Sequence, residues 1–342
     1  MILTKAPFRI SLAGGGSDLP EFYRRHTGVV VSTTIDKSMY IAVHPYFQDK
    51  IRIKYSRTED VSNTAEIQHP LVRECLRNMK IECGMEIASF ADVPAGTGMG
   101  SSSAFTVCLL HALHTLAGRE PSAQELAETA CHIEIDQVAE PIGKQDQYAT
   151  AFGGLNRYRF HADESVEVYP VACSEAIRKE LNRRLMLFYT AGQREASSIL
   201  RQQSRNMADP AKFAAVVKLA ALADELCAAL EQSQLDSVGD ILHQGWLLKS
   251  SLAHGITNSA IDSSYRLARE AGVEGGKLLG AGSGGFLLLY CRQEKQAQVR
   301  EALAHMQEMP FAMSSQGSGV LYNDGQNEPI LVARGSVPIP LS

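Results

Sequence analysis

Three short stretches of this 342-residue sequence combine glycine with side chains able to handle anions. The central one, Pro94-Ala-Gly-Thr-Gly-Met-Gly100-Ser-Ser-Ser103, stands just ahead of an apolar stripe at helical spacing: Phe105, Cys108, Leu109, Ala112, Leu113 and Leu116. Glycine lets backbone pass close to a ligand, and a helix start presents unpaired N–H groups with partial positive charge. The three serine hydroxyls could cap the helix, bind phosphate oxygens or give a hard oxygen ligand to Mg²⁺. A plain serine-capped loop needs fewer glycines, so anion binding is the stronger expectation. The stretch is not a Walker A loop, whose G-x-x-x-x-G-K-[ST] pattern occurs nowhere in the chain.

Carboxylates supply the next candidates. Glu134 shares a stripe with Ala127, Ala130, Cys131 and Val138, where a charge is costly unless paired or bound to a cation. Asp146 follows Gly143 and is flanked by Gln145 and Gln147, amides that can orient a carboxylate without competing for protons. Each could equally be structural, Glu134 in an ion pair and Asp146 capping a helix. In the first glycine patch, Arg9 precedes Gly14-Gly-Gly16-Ser17-Asp18. Arginine can grip a phosphoryl or carboxylate group with two bonds, and an aspartate accepts from polyol hydroxyls. A surface salt bridge and a turn aspartate are the plainer alternative there. The third patch, Gly280-Ala-Gly282-Ser-Gly-Gly285, satisfies G-x-G-x-x-G but precedes an apolar strand instead of opening a helix, so the dinucleotide context is missing.

The elements that must carry these groups are legible from periodicity. Strands are predicted at Thr4–Leu12, Val29–Thr34, Met39–His44, Ile51–Tyr55, Met85–Phe90, Leu155–Phe160, Val166–Tyr169, Leu185–Tyr189 and Phe286–Tyr290. Helices are predicted at Leu71–Met79, after Gly100 and after Pro121, through most of 194–271, and near 294–307. Runs of strands followed by runs of helices give an α+β class, with a boundary near 175–185.

Composition narrows the setting. Charged residues are 21% of the chain and its formal charge is −5, so polyanion or membrane-surface binding loses weight: the expectation is no nucleic acid and no membrane partner. Seven dispersed cysteines without a C-x-x-C pair argue against disulfides or structural zinc. No signal-like leader and no run of about 20 apolar residues is present, which points to the cytoplasm.

Taken in order, the motifs at 6–18, 94–104, 134–154 and 277–290 resemble the GHMP kinase superfamily. Phe8 and Gly14-Gly-Gly16 depart from its galactokinase members, and Met99 stands where leucine is usual. Ala13–Leu19, Thr34–Lys37 and Gly143–Ala149 look most like the D-glycero-D-manno-heptose 7-phosphate kinases, a pattern shared with fucokinase-type sugar 1-kinases. The resemblance implies a two-domain α+β fold: an N-terminal ATP-binding and catalytic domain over 1–180, ribosomal-protein-S5-domain-2-like, and a ferredoxin-like α/β sandwich over 181–342.

It also implies roles. ATP would lie on Gly96, Gly98, Met99, Gly100, Ser101, Ser102 and Ser103, with Gly282 in support, and Mg²⁺ on Ser102 and Glu134. Asp146 would orient or deprotonate the attacking hydroxyl and Arg9 would steady it or the transferring group. Asp18, Ser17 and Gly16 would hold the sugar, and Lys37 and Lys144, with Arg24 and Arg25, are candidates for a second phosphate. The partner would be a small sugar or sugar phosphate, phosphorylated at its anomeric hydroxyl. A catalytically inactive sensor, a mevalonate kinase and a homoserine kinase are the alternatives on the same fold.

Overall fold

The structure, a computed structural model, describes residues 1–190 and 196–325. The chain opens with β1 (Ile2–Ala13), α1 (Pro20–Tyr23), β2 (Gly28–Pro45), β3 (Ile51–Lys54), β4 (Thr58–Val61), α2 (Pro70–Asn78) and β5 (Met85–Ala91). Then come α3 (Ser101–Leu116), α4 (Ala123–Cys131), α5 (Gln145–Phe152), β6 (Leu155–Phe160), β7 (Val166–Pro170), α6 (Glu175–Arg184) and β8 (Leu185–Tyr189). The remainder is α7 (Ala196–Asn206), α8 (Pro210–Glu231), α9 (Val238–Ser250), α10 (Ser259–Glu270), β9 (Gly275–Leu278), β10 (Phe286–Tyr290), α11 (Gln296–Ala302), β11 (Gln307–Glu308), β12 (Met313–Ser314) and β13 (Gly319–Asn323).

Two sheets organise these elements. The larger runs β13-β1-β2-β5-β3-β4, with β12 and β6 also on β2 and β7 on β6. Among the described residues only β3 and β5 pair in parallel. The smaller sheet is antiparallel, β11-β8-β10-β9. The two strands predicted at Val29–Thr34 and Met39–His44 are one continuous strand of 18 residues. It serves two neighbours in turn: Gly28–Thr33 pairs with β6, and Met39–Pro45 with β5.

α3 lies against β1 and β2, buried from Ser103 through Leu110 and again at Ala112, Leu113 and Leu116. A helix apolar all round belongs between layers, not on a surface. The predicted boundary at 180/181 falls inside α6, and the chain returns across it late. β12 pairs with β2, and β13 with β1, so the larger sheet contains both ends of the described chain. All seven cysteines are free. Among the described residues no helix is long and apolar enough to cross a membrane.

The loop after β9 packs backbone on backbone against the loop before α3. Gly98 and Gly280 both have φ near +80°, and a Cβ on Gly98 would lie 2.5 Å from the Leu279 carbonyl oxygen. A Cβ on Gly280 would strike the Cα of Gly98. Neither position can accept a side chain without parting the loops. Gly280→Ala is therefore expected to lower the melting temperature by several degrees and to weaken ATP binding, measurable by thermal denaturation with and without nucleotide.

Candidate active site

The four motifs meet around one cavity of about 320 Å³. One wall is the turn from Gly96 to Gly100 with Ser101, Ser102 and Ser103 at the start of α3. Gly100, at φ +73°, ends the turn, and the free N–H groups of a 16-residue helix follow it. Gly280 and Gly282 back this wall. The side chain of Met99 is buried outside the cavity, and its carbonyl accepts the Arg9 backbone N–H at 3.1 Å.

Arg9 and Asp146 occupy the centre. The Arg9 Nε and Nη2 donate to Oδ1 and Oδ2 of Asp146, each at 2.7 Å, while Nη1 donates to the Gly98 carbonyl at 2.6 Å. This bidentate pair joins β1 to the first turn of α5 and fixes the plane of the carboxylate. Gln145 adds a donor to Asp146 Oδ1 at 3.1 Å, as its position beside the carboxylate suggested.

Asp18 faces the same space from the first glycine turn. Its Oδ1 accepts from the Gly16 N–H at 3.0 Å and its Oδ2 from the Gln145 N–H at 3.3 Å. A Cβ on Gly143 would lie 2.5 Å from the Asp18 Cγ, so only glycine lets α5 approach this carboxylate. Burial, then the charge of Asp146, push the Asp18 pKa up, against the Gly16 N–H and Lys249. Gly16 lines the cavity, but Ser17 does not: its hydroxyl donates to the Gly14 and Val29 carbonyls and accepts from the Val29 N–H. These bonds tie Ser17 into the turn between Gly14 and Val29.

Glu134 is fully buried in a wide π turn, His132–Gln137, that continues α4. Such turns insert an extra residue and often re-aim a functional side chain. Its Oε2 accepts from the Ser103 hydroxyl and the Gln147 amide, both at 2.8 Å, and its Oε1 has no partner. Burial pushes this carboxyl up to about 7, although the nearby Thr106 hydroxyl and the bonds from Ser103 and Gln147 pull the other way. The serine joined to Glu134 is thus Ser103, whereas Ser102 is exposed on the cavity wall. Among the described residues no group of three or more His, Cys, Asp or Glu side chains could hold a metal. A single divalent ion held by Glu134 and serine oxygens still suits the orphaned, buried Oε1, which otherwise keeps an unpaid desolvation cost.

The cations nominated for a second phosphate are occupied elsewhere. Lys144 and Arg24 both bind Glu164, each at 2.6 Å, with the Tyr23 hydroxyl on the same carboxylate. Burial of Glu164 is overcome by these three donors, which hold it down to about 2. Arg25 lies over the Phe213 ring and donates to the Met207 carbonyl. Lys37 pairs with Asp36 at 3.3 Å. None of the four lines the cavity.

Two lysines that motif reading passed over do line it: Lys249 at the end of α9 and Lys277 in β9, each only 8% exposed. Lys277 lies within the stretch quoted as the third motif, and the apolar company of both residues was the available signal for burial. Burial, with Lys249 and Arg9 nearby, pushes Lys277 down to about 7, against Asp18. An unfolded lysine titrates near 10.5. Between those values the unfolded chain binds the extra proton, so this group's stability cost is full below pH 7 and is relieved as pH rises towards 10.5. Lys277→Met should therefore melt above the ligand-free wild type at pH 6.5, by several degrees, with the gap narrowing by pH 10. An equal gap at both pH values would contradict the buried placement of the ammonium group.

The family model of the GHMP kinases N-terminal domain matches residues 69–154, and that of the GHMP kinases C-terminal domain matches 226–308. A D-glycero-alpha-D-manno-heptose 7-phosphate kinase of Campylobacter jejuni is 27% identical over 88% of this chain and 93% of its own. A bifunctional fucokinase/GDP-fucose pyrophosphorylase of Arabidopsis thaliana is 24% identical over 87% of this chain and 30% of its own. The fold is similar to the crystal structure of a D-glycero-D-manno-heptose 1-phosphate kinase from Bacteroides thetaiotaomicron, with TM-score 0.78, 24% identity and 94% and 99% of the two chains covered.

Proposed function

Because this chain belongs to the GHMP kinase family and is an ATP-dependent sugar kinase, we propose that its acceptor is the anomeric hydroxyl of D-glycero-D-manno-heptose 7-phosphate. The observation that carries this reading is the Arg9–Asp146 pair, set between a phosphate-type loop and the polyol-type Asp18 within one cavity. The similarity to a heptose 7-phosphate kinase along nearly the whole chain supports the choice of sugar. The product would be the 1,7-bisphosphate, a substrate for nucleotide activation of the heptose. Seven free cysteines suit a reducing compartment, the cytoplasm.

Phosphoryl transfer asks little covalent chemistry of a protein and much alignment and charge neutralisation. The backbone N–H groups of Gly98–Ser103 and the start of α3 would hold the ATP phosphates, with Gly280 keeping that loop in place and Gly282 lining the same cavity. Ser102 and Glu134, the latter positioned by Ser103, would hold Mg²⁺, which supplies charge neutralisation on the triphosphate. Both oxygens of Asp146 already accept from Arg9, so the lone pairs that remain would orient the attacking hydroxyl and receive its proton. An anomeric hydroxyl is more acidic than a simple alcohol, which eases that demand. Asp18, its position set by two backbone N–H groups, would accept sugar hydroxyls. In this reading 1–180 carries the nucleotide and reacting groups and 181–342 closes the acceptor side.

One observation favours a second reading, a fucokinase-like 1-kinase of an unphosphorylated sugar: the four cations first nominated for a terminal phosphate all have other work. Turnover of the heptose with and without its 7-phosphate separates the readings, and indifference to that phosphate rejects the first. ATP binding without ADP release across a broad sugar panel would instead mark a sensor. Asp146→Asn is expected to lower kcat by about 100-fold or more while ATP affinity stays within about threefold, measured by coupled ADP release and equilibrium nucleotide binding. Near-wild-type turnover would remove Asp146 from the reaction.

A further inference from the structure

We propose that Lys249 and Lys277 form a buried phosphoryl-binding subsite on the acceptor side of the cavity, which takes the terminal phosphate of the sugar substrate. This inference rests on the heptose 7-phosphate reading and supplies the cations that reading lacks.

The two lysines come from α9 and β9, separated only by α10 in the chain, and both elements reach the first glycine turn from far along the sequence. Both also line a small recess behind Leu12, Ala13, Gly14 and Gly15. Their hydrogen bonding is nearly empty. Among the described residues Lys249 donates to no acceptor, and Lys277 reaches only the Leu12 carbonyl, at 3.5 Å. Beside them the side chain of Gln203, from α7, is wholly buried, and neither its oxygen nor its nitrogen has a partner. A Cβ on Gly16 would sit 3.8 Å from the Lys249 Nζ and closer still to the Gln203 amide, which places these groups together at that turn. The Ser11 hydroxyl, on the cavity wall, is also buried without a partner.

Charge decides what fills such a place. Asp146 is committed to Arg9, which leaves Asp18 as the carboxylate facing two buried ammonium groups. An uncompensated buried charge is costly, and buried polar groups without partners add to the cost. A neutral polyol would satisfy the hydrogen bonds and leave the charge. A phosphate brings the missing negative charge as well, with oxygens for the two ammonium groups, the Gln203 amide and the Ser11 hydroxyl. The transferring phosphoryl group offers the same chemistry. The placement favours the acceptor's phosphate, because the lysines stand against the Gly14–Gly16 turn and no hydrogen bond joins either to residues 96–103.

The test is steady-state kinetics of the full chain, with MgATP, on D-glycero-D-manno-heptose 7-phosphate and on the unphosphorylated heptose. The wild type should prefer the phosphorylated sugar by about 100-fold in kcat/KM, and Lys249→Gln and Lys277→Gln should each reduce that preference by about tenfold or more, mainly through KM. Melting temperatures at or above the wild type would show that these variants fold, since each removes an uncompensated buried charge. Loss of kcat on both sugars at unchanged preference would assign the lysines to the transferring phosphoryl group and overturn the subsite, leaving the heptose reading intact. Unchanged preference and unchanged kcat would overturn it as well. A wild type indifferent to the terminal phosphate would overturn the heptose 7-phosphate reading and the subsite together.

Discussion

Arg9 is 4% exposed, and its guanidinium ties together three parts of the chain that share no sequence neighbourhood. It leaves β1, holds the Gly98 carbonyl of the phosphate-type loop and locks both oxygens of Asp146 at the start of α5. Its backbone N–H adds a further bond to the same loop at Met99. A lysine could not replace it, because one ammonium group cannot span a carboxylate and a carbonyl in fixed directions. The cavity's geometry follows from this side chain: where Arg9 goes, the loop and the carboxylate must go with it.

Around that centre the electrostatics are local and differ from the chain's formal −5. Three cations, Arg9, Lys249 and Lys277, face Asp18 and Asp146, while Glu134 lies behind the phosphate-type wall with one oxygen open. Burial moves Glu134 and Asp18 up and both lysines down, so the charged form of each is disfavoured by its surroundings. An anion beside the lysines favours their ammonium form, and a cation beside Glu134 favours its carboxylate.

The parts of the site that could be read in the sequence are those whose chemistry is local. Glycine patches, the serine run at a helix start, and Asp146 between two amides all signal themselves within a few residues, and the structure brings them to one cavity. Misplaced expectations share a different cause. Lys37 and Lys144 were chosen because they lie near motifs along the chain, yet Asp36 and Glu164 claim them. The serine on Glu134 is the third of its run, because the helical turn directs Ser103 inward and Ser102 outward. Lys249 and Lys277 stayed hidden because a lysine in an apolar stretch looks the same whether it snorkels outward or points into a cavity. The long β2 reads as two strands in the sequence because its middle residues, Asp36 and Lys37, are charged, Asp36 exposed and Lys37 half-buried, while the backbone continues.

The return of β12 and β13 to the larger sheet has a consequence for how the protein is made. β1, which carries Arg9, is synthesised some 300 residues before its β13 neighbour. Until then one edge of β1 lacks its strand partner, an open template for wrong pairing. The Arg9–Asp146 pair is thus assembled on a strand whose last strand partner is made some 300 residues later. The same closure makes the larger sheet answer for the whole chain, because opening either terminus loosens the strand that holds the guanidinium.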